Sequence, residues 1–365
     1  MTPVKSRTET IATGEAQKTS GRPAPAQLKD SAPLLMAYRV ILWITLAAYP
    51  FFLKGMHAAS DFSNPLVVRG LGFLGLAATC LPAAMALFCL HELPKVNLPE
   101  RVRRTIGREA VLGAVSASLF IVVNNGLNLM KLLPLRDRTW WVLITLIFLM
   151  KFLPIRTSVF SSETRTRKIH IYAASVVLLY ALEHIGNHLV ALYSFQASDA
   201  MMTAFRLFLR IPAVEILLLT AVAVQIVSGV KLVSSSRMLQ RSTFLRNLQI
   251  LSGAYLSVFI FAHVINVVLV DRILHGGNTM FSGFTGKGTY GMLTSLNNSR
   301  LMPYYVISVA AVFVHVGAAG RWLLIPKFGS AGAEKFAHAT MWFGVAAAIA
   351  VALPMMQVHL GMQPR

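Results

Sequence analysis

Long runs of apolar residues recur along most of this chain and limit its fold more than any other feature. An apolar run of about 18 residues or more is long enough to span a bilayer as an α-helix. We count about nine runs that reach or approach this length, roughly at 35–53, 66–91, 109–130, 139–155, 169–193, 211–234, 248–270, 302–324 and 338–360. Hydrophobic residues make up 55% of the 365 residues and charged residues only 13%. The sequence therefore predicts an all-α polytopic transmembrane helical bundle of about nine spanning helices.

The apolar runs divide the chain into three regions. Residues 1–34 are polar and aperiodic, which predicts a disordered tail. Residues 35–158 contain four apolar runs and form an N-terminal membrane region of unknown role, and residues 159–365 contain five. The third run ends its clean apolar stretch at Asn124 and Asn125. It is either a short span or part of a re-entrant hairpin shielded by other helices.

The positive charge of the chain lies in short loops between the apolar runs. Lys and Arg number 34 against 14 Asp and Glu, a net charge of +20. Charge distributed in this way is typical of topology signals and of contacts with lipid headgroups. We therefore expect membrane lipid as a partner and no nucleic acid. The basic loops share one parity, which predicts that they face the cytoplasm and that the loop 271–301 lies outside.

Histidines are concentrated in runs five to eight, and an ionisable side chain inside a spanning helix is a functional candidate. His184 and His263 lie on different helices, each about 15 residues from the same side. At about 1.5 Å per residue, both are about 22 Å deep. Two histidines at one depth on separate helices are what axial ligation of a haem iron requires. The sequence therefore predicts one haem b, with His184 and His263 as its metal ligands.

Two further histidines have more than one interpretation. His188 lies one helical turn beyond His184 on the same face, so it is an alternative ligand or a partner for a haem propionate. His315 and Gln225 form a second pair at matching depth, although glutamine is a poor haem ligand. His315 is therefore a hydrogen-bonded core residue, a five-coordinate ligand or part of a quinone pocket.

Charged residues near the outer side complete the candidate site. Arg210 and Arg272 are candidate partners for haem propionates, and Glu215 is expected to pair with Arg210 or Arg206. Zinc would need three or four converging ligands, and no cysteine or carboxylate cluster accompanies the histidine pair. The glycine-rich segment 281–291 lacks the strand-to-helix context of a phosphate-binding loop, and we predict a flexible loop there.

Several short stretches, in their order and spacing, carry a resemblance to a known family. They are Arg167-Lys-Ile-His170, Glu183-His184-Ile-Gly-Asn-His188, Ala213-Val-Glu215-Ile-Leu, Gln225-Ile-Val-Ser-Gly229, Leu248-Gln-Ile-Leu-Ser-Gly253 with His263, and Val312-Phe-Val-His315 followed by Gly320-Arg-Trp322. Over residues 165–360 the chain resembles the cytochrome b subunit that anchors succinate dehydrogenase and fumarate reductase. The first four runs have no counterpart in that family.

The resemblance implies a five-helix bundle for residues 159–365. It also implies that His184 and His263 clamp an outer haem and that His315 matches one ligand of an inner haem. Gln225 stands where the second inner ligand would be, which departs from the family pattern. Electron transfer with quinone and an anchoring role for flavoprotein and iron–sulfur subunits would follow, since this chain has no flavin or nucleotide motif.

A second resemblance gives a different function for the same helices. The stretch from Gln225 to Trp322 is similar to a fungal mitochondrial outer-membrane family linked to lipid supply and organelle contacts, through His263-Val-Ile-Asn266 and the residues from His315 onwards. The leading hypothesis is a membrane b-type cytochrome, and the alternative is a non-redox scaffold or lipid-homeostasis protein. We expect a bacterial inner membrane, with a mitochondrial membrane as the alternative.

Overall fold

The computed structural model describes residues 25–129, 136–150, 163–235, 243–274, 276–277, 280–285 and 289–360, and these residues form helices and no strands. The α-helices are α1 Pro25–Ala58, α2 Pro65–Thr79, α3 Leu81–Glu92, α4 Glu100–Leu129, α5 Arg136–Met150, α6 Glu163–Val190, α7 Phe195–Leu209, α8 Pro212–Ser235, α9 Phe244–Val264, α10 Phe281–Thr285, α11 Leu296–Ser299 and α12 Leu301–Met355. A π-helix, Ile265–Leu274, continues α9.

Seven helical stretches among the described residues are long and apolar enough to cross a membrane. They are Ser31–Asp61, Pro65–Lys95, Glu100–Asn124, Thr164–Val190, Pro212–Val233, Phe244–Leu274 and Leu296–Met355. The predicted all-α, polytopic helical bundle is therefore confirmed, while the count of nine spans is not. The fourth predicted run is described only as α5, whose 15 residues end at Met150.

The eighth and ninth predicted runs are two legs of α12. Gly329 interrupts this helix with φ 68°, a left-handed backbone conformation that glycine adopts without steric cost. The legs then pack against each other: a Cβ on Gly317 would lie 2.9 Å from the carbonyl oxygen of Ala337. The chain therefore reverses direction at Gly329, and the two runs are two helices that join at this glycine.

Three expectations about local structure need correction. The disordered tail predicted for residues 1–34 is wrong at its end, because α1 begins at Pro25 and already buries Ser31 and Leu35. The re-entrant hairpin considered for the third run is wrong, because α4 is one continuous helix. The flexible loop predicted at 281–291 contains α10 and a 3-10 turn whose apolar side chains are buried, among them Met292 and Leu293.

The helices bring the loops together at two ends of the bundle. At the basic end, the His91 ring contacts the Phe244 ring; the described basic residues that gather here are Lys95, Arg101, Arg103, Arg104, Arg108, Arg165, Arg167, Lys168, Arg246, Lys327 and Lys335. At the loop end, His57 Nδ1 lies 2.6 Å from the Leu293 carbonyl oxygen. The loops of shared parity therefore lie together, as the topology argument requires.

Helices α1 to α5 form a tightly packed layer against the remaining helices. Its centre is aromatic: the ring of Trp140 contacts those of Tyr49 and Phe120, and the Trp140 indole donates to the Leu46 carbonyl oxygen at 2.8 Å. The main cluster of buried apolar residues continues from this layer into α9 and α12, where it includes Tyr255. Helices α6, α8, α9 and the first leg of α12 then enclose a cavity on the other side.

Candidate functional site

The cavity has a volume of about 1190 Å³ and extends along the bundle between α6, α8, α9 and the first leg of α12. Its lining is mostly apolar but includes all six of the residues that the sequence singled out: His184, His263, His188, His315, Arg210 and Arg272. Glu183, which neighbours His184 along the chain, lies outside this lining. The histidines occupy two levels, one nearer the loop end and one nearer the basic end.

At the level nearer the loop end, the imidazole rings of His184 and His263 are neighbours in the cavity lining. Their ring centres are 6.0 Å apart, with an angle of 58° between the ring planes. His184 is also stacked on Tyr180, with ring centres 5.4 Å apart. The structure therefore brings together the two histidines whose equal depth the sequence indicated.

His188 occupies the position between His184 and the loop end. Its Nε2 lies 3.2 Å from the Nε2 of His184, so one of these two nitrogens carries the proton and donates it to the other. The Nδ1 of His188 is buried and has no hydrogen-bond partner, while its ring packs against Phe281 at 4.6 Å. His188 is thus a direct neighbour of His184.

Aromatic side chains surround His263 on its own helix and on α12. Its ring is stacked on Phe259 with an interplanar angle of 10° and meets the edge of Tyr305 at 5.9 Å between ring centres. The Tyr304 hydroxyl donates to the Phe259 carbonyl oxygen at 3.1 Å, which ties α12 to α9 at this level. These contacts hold the His263 imidazole toward the cavity.

At the level nearer the basic end, His170 joins Gln225 and His315. The Gln225 amide donates to His170 Nε2 at 3.1 Å, and the rings of His170 and His315 are 6.4 Å apart. Equal depth in the sequence pairs Gln225 with His315 but does not indicate His170, because the predicted fifth run begins at residue 169 and puts this residue at the mouth of its helix. Since α6 begins at Glu163, His170 lies about two turns inside the helix. Its spacing of 14 residues from His184 is about four helical turns, which indicates that the two histidines lie on the same face of α6.

At the loop end of the cavity, Arg272 forms a bidentate ion pair with Glu215, with N–O distances of 2.5 Å and 3.1 Å. The expectation that Glu215 pairs with Arg210 or Arg206 is therefore corrected. In an α-helix Arg272 would lie about 180° around the axis from His263. The wider π-helix, with about 4.4 residues per turn, reduces this angle to about 50° and turns Arg272 toward α8.

Burial, together with the neighbouring Arg210, lowers the pKa of Arg206 on α7.

The histidine pair His184–His263 has the spacing that an iron atom between two imidazoles requires. Each metal–nitrogen bond is about 2 Å long and each ring centre lies about 1 Å beyond its nitrogen, so the centres are about 6 Å apart. Each ring can rotate about its own metal–nitrogen bond, so the 58° angle fits as well. In the described part of the chain, no group of three or more His, Cys, Asp or Glu side chains could hold a metal ion.

No known protein family matches this chain, and neither a characterised protein nor a solved structure is significantly similar to it.

Proposed function

We propose that this chain is an integral membrane b-type cytochrome in which His184 and His263 are the axial ligands of a haem. The observation that carries the proposal is the 6.0 Å separation of their ring centres inside a cavity between four apolar helices. Haem iron held in this way passes single electrons by alternating between its ferric and ferrous states. The protein contributes the two ligands, their orientation and an apolar surrounding.

Neighbouring side chains have distinct roles in this proposal. The stack of His263 on Phe259 limits the rotation of the imidazole and presents its ring to the cavity. His188, which shares a hydrogen bond with His184, gives up that bond when His184 binds a metal. Its imidazole is then available as a hydrogen-bond donor to a propionate, as one interpretation of the sequence suggested.

Arg210 and Arg272 supply positive charge where haem propionates would lie. Arg272 directs two N–H groups to Glu215, but a guanidinium has five N–H donors, so the ion pair leaves donors for a second carboxylate. Charge-assisted hydrogen bonds of this kind are stronger than bonds between neutral groups. The arginines would therefore fix the orientation of the porphyrin within the cavity.

Electron exchange with a membrane quinone and a peripheral redox partner completes the proposed activity. A quinol releases two electrons and two protons, so a single haem would accept its electrons one at a time. The chain offers no flavin or nucleotide motif, and therefore flavoprotein or iron–sulfur subunits are the class of partner that would supply or receive those electrons. A bacterial inner membrane fits this role, and a mitochondrial membrane is the alternative.

One observation favours a non-redox scaffold or lipid-homeostasis protein as the second candidate. The nitrogens of His184 and His170 already accept or donate hydrogen bonds within the protein, to His188 and Gln225 respectively. Polar side chains paired in this way also occur as interhelical hydrogen bonds in bundles that bind no cofactor. The large apolar cavity would then hold lipid.

A reduced-minus-oxidised absorption spectrum of the purified full-length protein, produced with ample haem, separates the two functions. The cytochrome proposal expects a low-spin b-type signal whose outer-site component is lost in His184→Ala and in His263→Ala. His338→Ala is the matched control, because His338 is exposed on the second leg of α12 and should leave the spectrum unchanged. Wild-type protein that binds no haem would leave the scaffold as the function.

A further inference from the structure

Two nearly identical pentapeptides lie on the two helices that border the level nearer the basic end. Gln225-Ile-Val-Ser-Gly229 belongs to α8, and Gln249-Ile-Leu-Ser-Gly253 belongs to α9. They differ only at the third residue, which is Val in one and Leu in the other. Each pentapeptide contacts one histidine from a neighbouring helix: the first contacts His170 and the second contacts His315.

The pentapeptide of α8 fixes the protonation of His170. The Gln225 side-chain amide can only donate to His170 Nε2, so the proton of neutral His170 lies on Nδ1, which donates to Ser228 Oγ at 2.9 Å. The Ser228 hydroxyl in turn donates to the Val224 carbonyl oxygen at 2.5 Å. The Nε2 of His170 therefore carries a lone pair. Gly229 makes room for the ring, because a Cβ there would lie 3.3 Å from His170 Cε1.

The pentapeptide of α9 does the same for His315. The Gln249 carbonyl oxygen lies 3.0 Å from His315 Nδ1, and because a carbonyl only accepts, Nδ1 carries the proton and Nε2 again has the lone pair. Ser252 Oγ lies 3.3 Å from the same nitrogen. A Cβ on Gly253 would lie 2.8 Å from His315 Cε1, so this ring, too, rests on a glycine.

A backbone or side-chain acceptor that holds Nδ1–H and leaves Nε2 free is the usual support of a metal-bound histidine. The ring centres of His170 and His315 are 6.4 Å apart with an angle of 75°, which is again close to the spacing of about 6 Å for two imidazoles on one iron. This pair therefore has both the separation and the protonation that axial ligation requires.

The distance between the levels of the two histidine pairs is the same along α6 as along α9. His170 precedes His184 by 14 residues on α6, and Gln249, which holds His315, precedes His263 by 14 residues on α9. At about 1.5 Å per residue, each interval is about 21 Å. The cavity of about 1190 Å³ that contains both levels exceeds the range of about 300–1,000 Å³ for a pocket with one small ligand.

We propose that His170 and His315 are the axial ligands of a second b-type haem, an inference that rests on the proposed function of the first site. Gln225 gives up its bond to His170 Nε2, as His188 gives up its bond to His184. An electron would then pass between the two sites, so that one haem iron is oxidised as the other is reduced. The number of electrons on the two haems together would not change.

The number of haems per chain tests this assignment. The full-length protein, produced with ample haem and purified in detergent, is expected to contain two b haems by the pyridine haemochrome method. His170→Ala and His315→Ala should each retain one, while the control His338→Ala retains two. Retention of two haems in His170→Ala would overturn the assignment of His170.

Redox titration gives a second measurement, and its wild-type part needs no variant to fold. Two haems are expected to titrate as two one-electron steps, of which His170→Gly loses one and added imidazole restores it. A wild-type protein with one haem and one step, both unchanged in His170→Ala and His315→Ala, would overturn the second site and leave the proposed function intact. A wild-type protein without haem would overturn both proposals.

Discussion

The helices α4 and α6 are both apolar and both long enough to span a membrane, but they are packed differently. Within the most apolar part of each span, 72% of the α4 residues are buried inside the protein and 11% of the α6 residues. Helix α4 belongs to the packed layer of α1 to α5 and also packs against α9, so side chains fill the space around it. Helix α6 faces lipid on one side and the cavity on the other. The apolar character of a helix therefore predicts membrane insertion, but it does not predict whether the helix packs against protein or borders a cavity.

The packed layer supports the cavity through α9. One side of α9 buries Leu251, Tyr255 and Ala262 in the main apolar cluster, and the Tyr255 hydroxyl donates to the Tyr304 carbonyl oxygen of α12 at 2.7 Å. The other side presents Gln249, Gly253 and His263 to the cavity. A helix that is fixed on one side keeps its histidine in place on the other, which suits a site that must hold two ligands at a set distance.

Trp140→Ala tests the difference between the packed layer and the cavity, and we expect it to have the largest effect on stability. This substitution removes a fully buried indole and its bond to Leu46, which should lower the free energy of unfolding by about 3–5 kcal/mol. Trp342→Ala, at a side chain that is 71% exposed, is the control. Thermal unfolding in detergent measures both variants. If Trp140→Ala also reduced the haem content of the folded fraction, haem binding in the cavity would depend on the packed layer, and the two regions would not be independent.

A pair of identical substitutions tests the same difference with a smaller effect. Ala117→Phe on α4, where the alanine is 2% exposed, should overpack the layer and cost about 1–3 kcal/mol. Ala254→Phe on α9 points into the cavity and should change the stability of the ligand-free protein by less than about 0.5 kcal/mol. The haem content of the purified protein is expected to fall in Ala254→Phe and to stay unchanged in Ala117→Phe. Equal destabilisation by both would show that the cavity is not open space.

The smallest effect concerns the C-terminal segment that links the two regions at the loop end. His359 Nδ1 donates to the Ala191 carbonyl oxygen at 3.2 Å, the Leu360 N–H donates to Leu192, and an Arg69 N–H donates to the Gln357 carbonyl oxygen. Burial lowers the pKa of His359; the hydrogen bond to Ala191 offsets part of this effect, and the nearby Arg69 adds to it. The unfolded segment takes up a proton near pH 6.5, and the folded one only at lower pH. The stability of the segment is therefore complete above about pH 6.5 and decreases as the pH falls below it.

Hydrogen exchange at the Leu360 amide measures this change. The protection factor, which corrects for the intrinsic rate at each pH, should be lower at pH 5.5 than at pH 7.5. His359→Gln keeps a polar side chain without the titration, so its protection factor should be equal at the two pH values. A wild-type protection factor that does not depend on pH would contradict the role given to His359.

The sequence was sufficient for the class of fold and for the level of one histidine pair. Apolar runs predicted the membrane bundle, and helical rise placed His184 opposite His263, because both rules depend only on local geometry. The second pair was missed, because His170 was assigned to a helix end that in fact lies two turns earlier. The pentapeptide that recurs at Gln225 and Gln249 is too short to stand out as a repeat, and its meaning depends on which histidine packs on each copy, a tertiary fact.

The π-helix after His263 has a consequence for how this protein can vary. A π-helical stretch arises when an α-helix accommodates an inserted residue, so the removal of one residue between Ile265 and Leu274 would favour ordinary α-helical winding. Arg272 would then swing away from Glu215, while His263, which lies before the insertion, would keep its position. Changes in chain length at this point can therefore alter the charge at the loop end without disturbing the imidazoles deeper in the membrane.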